Sequence, residues 1–433
     1  MRRTATTGRG RALALGLAVA TALTACGGSG GDEMASDSVV QVAGAERLAP
    51  AAAAPVGRVV TGLDAFTAEL FKATKATENL VFSPLSIAYA FAMLRVGANG
   101  TSAAELDRAF GLPAGFATAF NALTSALVTE GPATPPPAPP TGEENPPPAE
   151  PTLQIANGLF TQRGFGYGEN FLRTLTEQFG GELRTLDFSA PQQAVDAVNA
   201  WAAEHTAGRI PRILDRLDPA TVLVLLNAVH LDADWATPFQ EIGDQPFAVA
   251  GKDVRVPTMS LQTQVAHVEG DGFSAVELPY FGDRLAMRVL LPTGRNTPAD
   301  LITPRVLAAA AKGKPVRARV TMPRWDFGSE LDLKSLLPAL GVRAVFDPTA
   351  ADLSGISTDR QLFVDQAKHK ANITVDELGT VASAVTALGV SVTSAPVDPP
   401  LVFTVDRPFA FVIVDTVTGA PVFVGQVLDP RAD

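Results

Sequence analysis

Gly379-Thr380-Val381-Ala382-Ser383-Ala384-Val385-Thr386-Ala387-Leu388-Gly389-Val390-Ser391-Val392-Thr393-Ser394 contains no charge, no aromatic ring and no proline. Its valines and threonines favour a pleated surface, and a run of small uncharged residues is the composition of a buried strand. Pro396, Pro399 and Pro400 follow at once, and proline cannot donate to a ladder, so one flank stays out of a sheet. Asp376 and Glu377 bound the other flank. A segment fit to be a central strand but tethered as a loop is a candidate for conditional insertion into a sheet.

Working outward, the 433 residues and 46% apolar content are enough for one large core or two ordinary ones. A net charge of −11 and the lack of a basic cluster argue against nucleic acid or acidic lipid as partner. Arg2, Arg3, Arg9 and Arg11 precede the apolar run Ala12–Leu23, and Leu23-Thr24-Ala25-Cys26 closes it. This pattern predicts an export signal over residues 1–25, because the run is too short to span a bilayer stably. Leu-x-Ala-Cys is similar to a bacterial lipobox and makes Cys26 the expected lipidation site. An ordinary cleaved signal with an incidental cysteine is the alternative. Cys26 is the single cysteine of the chain, so disulfides and cysteine-based metal sites are excluded from the folded domain.

Residues 26–57 read as a flexible Gly/Ser/Ala tether and 58–433 as the folded domain. Inside it, the proline-dense block 131–151 favours an extended polyproline conformation that no packed element can continue through. Structure on both flanks makes it an insertion loop, and partner docking through Pro135–Pro140 is the alternative to a solvated loop. Helical spacing over Asp64–Thr77 places Phe66, Leu70 and Phe71 on one face. Ser83 is set to cap a second helix, with Pro84 in its first turn and Ile87, Phe91 and Leu94 as its core face. Further helices are expected at Ala117–Val128, Asn170–Phe179 and Ala194–His205. Strands are expected at Thr152–Phe160, Val222–Leu231, Ala275–Leu278, Ala286–Leu291, Val316–Met322, Leu401–Val405 and through Phe409–Val427. Intermingled elements without a regular alternation define an α+β class.

From about Val59 to Pro430 the chain resembles a serpin. The resemblance rests on Asn79-x-x-x-Ser83-Pro84-x-Ser86 followed by Met93-Leu94-x-x-Gly97-Ala98, on Asn227 with Trp235 and Phe239, and on Val276-Glu277-Leu278-Pro279-Tyr280. His369-Lys370-Ala371, Glu377-x-Gly379 and Arg407-Pro408-Phe409 complete it. It implies eight or nine helices around three β-sheets with an exposed reactive-centre loop over 379–398. It also implies that Ser83, Ser86, Asn227 and His369 form the shutter, a buried polar cluster beneath the place where the large sheet parts. In that family the loop is bait for a serine protease. The cut loop inserts as a new strand and traps the acyl-enzyme, so the chain is expected to be a protease inhibitor and not an enzyme.

For insertion, each inward side chain must be small. Alternation puts Thr380, Ala382, Ala384 and Thr386 on one face and Val381, Ser383, Val385 and Ala387 on the other, with Gly379 as the expected pivot. An acid is common in the family at the position of Val381, which would face solvent. The usual family distance from Gly379 places the scissile bond between Thr393 and Ser394, with Val392 as the alternative. No Lys or Arg occurs from Leu378 to Asp406, so a pocket built around an aspartate finds nothing to bind. The expected partner is an elastase-like or subtilisin-like serine protease, with a cysteine protease as a further candidate. The protein is expected to be a monomer needing no cofactor or metal, touching a membrane only through its lipid, at the outer face of the cell membrane or secreted. A non-inhibitory serpin, acting as a surface binding or chaperone-like module, is the rival reading. A hydrolase has no support: the chain has four histidines, His205, His230, His267 and His369, and no Gly-x-Ser-x-Gly elbow set between a strand and a helix. Gly164-x-Gly-x-Gly168 has its third glycine too early for a dinucleotide fingerprint and reads as a turn.

Overall fold

In the computed structural model residues 38–40, 42–43, 45–128, 148–380 and 399–432 are described. Cys26, most of the proline block and residues 381–398 lie outside them. The chain opens with β1 (Ser38–Val40), α1 (Val56–Thr74), β2 (Leu80–Phe82), α2 (Pro84–Val96), α3 (Gly100–Ala109) and α4 (Phe116–Ser125). There follow β3 (Thr152–Gln162), α5 (Glu169–Phe179), β4 (Leu183–Leu186), α6 (Pro191–Glu204), β5 (Leu223–Asp234) and β6 (Gln240–Val249). Next come β7 (Lys252–Gly270), β8 (Phe273–Pro279), β9 (Leu285–Pro292), α7 (Pro298–Leu301), α8 (Pro304–Ala310), β10 (Lys314–Pro323), β11 (Trp325–Asp332) and α9 (Leu333–Leu336). The chain closes with β12 (Gln366–Val375), β13 (Gly379–Thr380), β14 (Leu401–Thr404), β15 (Phe409–Asp415) and β16 (Pro421–Val427).

Two hydrogen-bonded sheets organise these elements. One has seven strands in the order β1-β4-β3-β5-β13-β12-β11. The other has nine, running β14-β10-β7-β8-β9-β15-β16-β2 with β6 added to β7. The three sheets implied by the resemblance become two ladders here because β7 is long enough to belong to two of them. Its N-terminal half pairs with β6, its middle and later part with β10, and its C-terminal end with β8.

Helix α2 lies between the sheets, against β3 and β5 on one side and β16 on the other. Ser83 caps it as its sequence predicts, accepting a hydrogen bond from the Ser86 N–H at 3.1 Å, with Pro84 at the first helical position. The one core face expected for it is too narrow a description. Every residue from Pro84 to Leu94 is buried, as befits a helix that is apolar all round. A second, smaller core joins α6 to the opposite face of the seven-stranded sheet, where Trp201 and Val198 meet Phe160, Val224 and Leu226.

The expected tether over 26–57 is overturned from Ser38 onward. β1 pairs antiparallel with β4, the Leu48 N–H bonds the Glu177 carbonyl at 2.8 Å, and Arg47 donates to Asn121 Oδ1 and Thr124 Oγ1 at 3.1 and 2.7 Å. Helix α1 then begins at Val56, eight positions before the predicted Asp64. The Gly164–Gly168 segment is a turn, with Gly164 at φ 94°.

Candidate functional site

Below the middle of the seven-stranded sheet, β5 and β12 run parallel with His369 directly beside Asn227. Both are buried, as are Ser83 and Ser86. His369 Nδ1 bonds Asn227 Oδ1, and Nε2 accepts the backbone N–H of Ser83 at 3.1 Å. These partners fix the neutral imidazole with its proton on Nδ1. Burial, with no acid in the cluster to offset it, pushes the His369 pKa down to about 3. The Asn227 amide donates to the carbonyl and hydroxyl of Ser86 and to Asn157 Oδ1. All four residues singled out in the sequence are therefore brought together, and Asn157 of β3 joins them.

Removing one member of such a network orphans its partners. Asn227→Ala would leave the His369 N–H buried without its acceptor and take a donor from Ser86 and Asn157, at about 1–3 kcal/mol per orphaned group. We expect a stability loss of about 3 kcal/mol, read as a lower urea midpoint at unchanged slope.

Above this cluster the same two strands part. β5 and β12 pair directly from Val224 and Gln366 up to Val229 and Ala371. Higher up, β13 is wedged between them, with Gly379 opposite Asp234 and Thr380 opposite both Ala233 and Val375. Between these zones, His230–Asp232 and Asn372–Thr374 pair neither with each other nor with β13, although β3 and β11 cover their outer sides. The result is a fork closed at its base by Asn227 and His369 and stoppered at its top by the first two residues of the hinge.

The stopper is held on several sides. Thr380 is 1% exposed and shares a 2.6 Å hydrogen bond with the Tyr280 hydroxyl, whose pKa burial drives well above the ordinary tyrosine range. Tyr280 in turn stacks on Trp235 at 4.5 Å, nearly parallel. Trp235 donates its indole N–H to the Asp376 carbonyl at 2.9 Å and its backbone N–H to the Leu378 carbonyl at 2.7 Å. The Phe239 N–H bonds the Glu377 carbonyl at 2.8 Å. Asp376 Oδ1 accepts the N–H groups of Leu378 and Gly379, and Arg324 pairs with Glu377 at 3.4 Å. Gly379, the expected pivot, also sits in close approach to β5. A Cβ on it would lie 2.1 Å from the Ala233 carbonyl oxygen, which any side chain would violate. The other hinge positions Val381, Ala382, Ser383, Ala384, Val385 and Thr386, the bond residues Val392, Thr393 and Ser394, and Cys26 lie outside the described residues.

Sequence reading missed Asn157, Tyr280 as a partner of Thr380, and the carboxylates Asp232, Asp234 and Asp376 around the fork. The alternation of β3 carried a signal for Asn157, since it stands on the face of apolar Leu153 and Leu159. Among the described residues no cluster of His, Cys, Asp and Glu suited to a metal ion occurs, and no helix is long and apolar enough to cross a membrane.

Comparison with known proteins places this arrangement. Residues 61–430 match the model of the serpin (serine protease inhibitor) family. An uncharacterized serpin-like protein of Thermococcus kodakarensis is 32% identical over 385 residues, covering 86% of each chain. Human neuroserpin is 30% identical over 381 residues, covering 83% of this chain and 88% of its own. The crystal structure of tengpin, a thermophilic serpin in the native state, superposes with a TM-score of 0.77 at 25% identity over 90% of this chain and 99% of its own. A fork stoppered by its own hinge above a buried Ser-Asn-His cluster thus stands in a chain that belongs to the serpin family of serine protease inhibitors.

Proposed function

We propose that this serpin is a suicide-substrate inhibitor of serine proteases that prefer small residues, elastase-like or subtilisin-like, exported and held at the outer cell surface through lipid on Cys26. The fork carries this reading, because β5 and β12 already part above Val229 and Ala371 and the start of the bait loop is held between them at the top, so that insertion has only to extend the parting downward. A target protease attacks the carbonyl carbon of Thr393 with its own serine hydroxyl. The bond to the Ser394 nitrogen breaks, that nitrogen leaves with a proton, and an ester joins the protease to Thr393. The freed arm then fills the fork and carries the ester-linked enzyme to the far pole before water can cleave the ester. Relief of a kinetically trapped state drives the step.

Register supports the length of the arm. Carrying the pairing of β13 downward sets Ala382 between Leu231 and Ile373 and Thr386 between Asn227 and His369. Val390 then falls opposite Leu223, the lower end of β5. Ser391 to Thr393 remain to link the sheet to the enzyme, which agrees with a bond at Thr393–Ser394. The inward residues Ala382, Ala384 and Thr386 are small, as the filled gap requires. The arginines at the N-terminus, the apolar run and Leu-x-Ala-Cys26 support export and lipid attachment.

Mixing the protein with pancreatic elastase or with subtilisin tests the reading. We expect an adduct that survives boiling in denaturing gels, together with a released C-terminal peptide whose first residue is Ser394. Complete loop cleavage by both enzymes with no adduct would falsify the trap.

A further inference from the structure

The outer face of the fork is acidic in a way that neither fold nor shutter requires. Asp232 stands on β5 at the level where the fork is open, half-buried, with β3 beside it at Thr152. On its own strand it has His230 below and Asp234 above. Across the fork Asp376 directly follows β12, and Thr374 donates its hydroxyl to Asp326 of β11 at 2.8 Å. Glu150 lies in the segment leading into β3, whose Ala149 N–H bonds Asp234 at 2.8 Å. Against these carboxylates stands Arg209, from the loop after α6, which acts on both Asp232 and His230 and whose carbonyl accepts from Asn372 at 3.1 Å.

We propose that Asp232 is a positioning residue that sets the rate of strand insertion, holding the fork open while ionised and letting it fill when protonated. The inference rests on the insertion mechanism proposed above. A strand filling the fork would cover Asp232 from its open side. Taking water from an ionised carboxylate is costly, the more so with like charges near, whereas the neutral acid bears it easily. Burial first, then Asp234 and Asp376, already raise the Asp232 pKa to about 6 against the pull of Arg209. Filling raises it further, so the filled state binds a proton at pH values where the open state does not. By linkage, insertion is favoured as pH falls from 8 towards 6 and changes little below 6, where both states are protonated. His230, pushed down to about 4 by burial and Arg209, and His369, at about 3, titrate outside that window.

The full chain can be held at mild heat at pH 8, 7, 6 and 5, and conversion followed as the fraction that melts at the higher temperature of the inserted form. The wild type is expected to convert several-fold faster at pH 6 than at pH 8 and to level off below 6. Asp232→Asn should convert at the faster rate throughout. Arg209→Gln, which removes the opposing charge, should shift the rise to higher pH and serves if the first variant folds poorly. Asp64→Asn is the control. Asp64 sits on α1 and its pKa is also raised by burial to about 6, so its loss should leave the wild-type profile intact. An Asp232→Asn protein that keeps the wild-type pH slope overturns the proposal. A higher-melting form that arises at a pH-independent rate in the wild type sinks this inference alone. A wild type that forms no such species at any pH, even after deliberate loop cleavage, removes the insertion mechanism and this inference with it.

Discussion

Cutting the loop between Val390 and Ser394 is expected to raise the melting temperature by at least about 10 °C. The arm from Val381 to Val390 would pair with β5 on one side and β12 on the other, satisfying His230–Asp232 and Asn372–Thr374, which pair with neither strand across the fork. It would also replace the single ladder from Val224–Gln366 to Val229–Ala371 by two, so that more bonds form than break. At about 1 kcal/mol net for each bond made, the gain is on the order of 10 kcal/mol. A domain of this size moves by roughly 1–2 °C per kcal/mol. Differential scanning calorimetry before and after limited elastase treatment measures the shift. An unchanged midpoint after complete cleavage would instead favour the rival, a binding module whose arm stays outside.

Ala382→Arg is expected to abolish trapping while leaving the loop cleavable. Thr380 marks which face of the arm turns inward, since its side chain is buried against Tyr280, and Ala382 follows on the same face. Its partners by register, Leu231 and Ile373, are 2% and 1% exposed. An arginine set between them would bury an unpaired charge at a cost of several kcal/mol, so the acyl-enzyme would hydrolyse before insertion. The stoichiometry of inhibition, in moles of serpin consumed per mole of enzyme blocked, should rise at least about tenfold. Val381→Arg points to the outer face beside Asp232 and should leave trapping near wild type. If both variants trap normally, the hinge is misassigned. Thr380→Arg is the less clean test, because it also expels the stopper from its contact with Tyr280.

Much of this was legible before any coordinates. The cap at Ser83 followed from local chemistry, whereas the cluster of Ser86, Asn227 and His369, whose members some 140 residues separate, was implied only by the resemblance to the serpin family. What escaped reading depends on partners far away in sequence. Ser38–Val40 is too short to show a period, and only the edge of β4 makes it a strand. Asn157 looked like one more polar residue in a strand, because the amide of Asn227 that holds it belongs to β5. Asp232 and Asp376 carry no joint pattern, since their proximity arises only when β5 and β12 flank the same gap. The close approach of Gly379 to the Ala233 carbonyl was equally hidden, because β5 lies some 145 residues earlier in the chain.

The most direct measurement is a crystal structure of the protein after cleavage of its loop. The account predicts that Val381–Val390 lies as a central strand between β5 and β12, with Thr386 between Asn227 and His369. A cleaved chain whose fork stays empty below Thr380, with the arm outside the sheet, would contradict it.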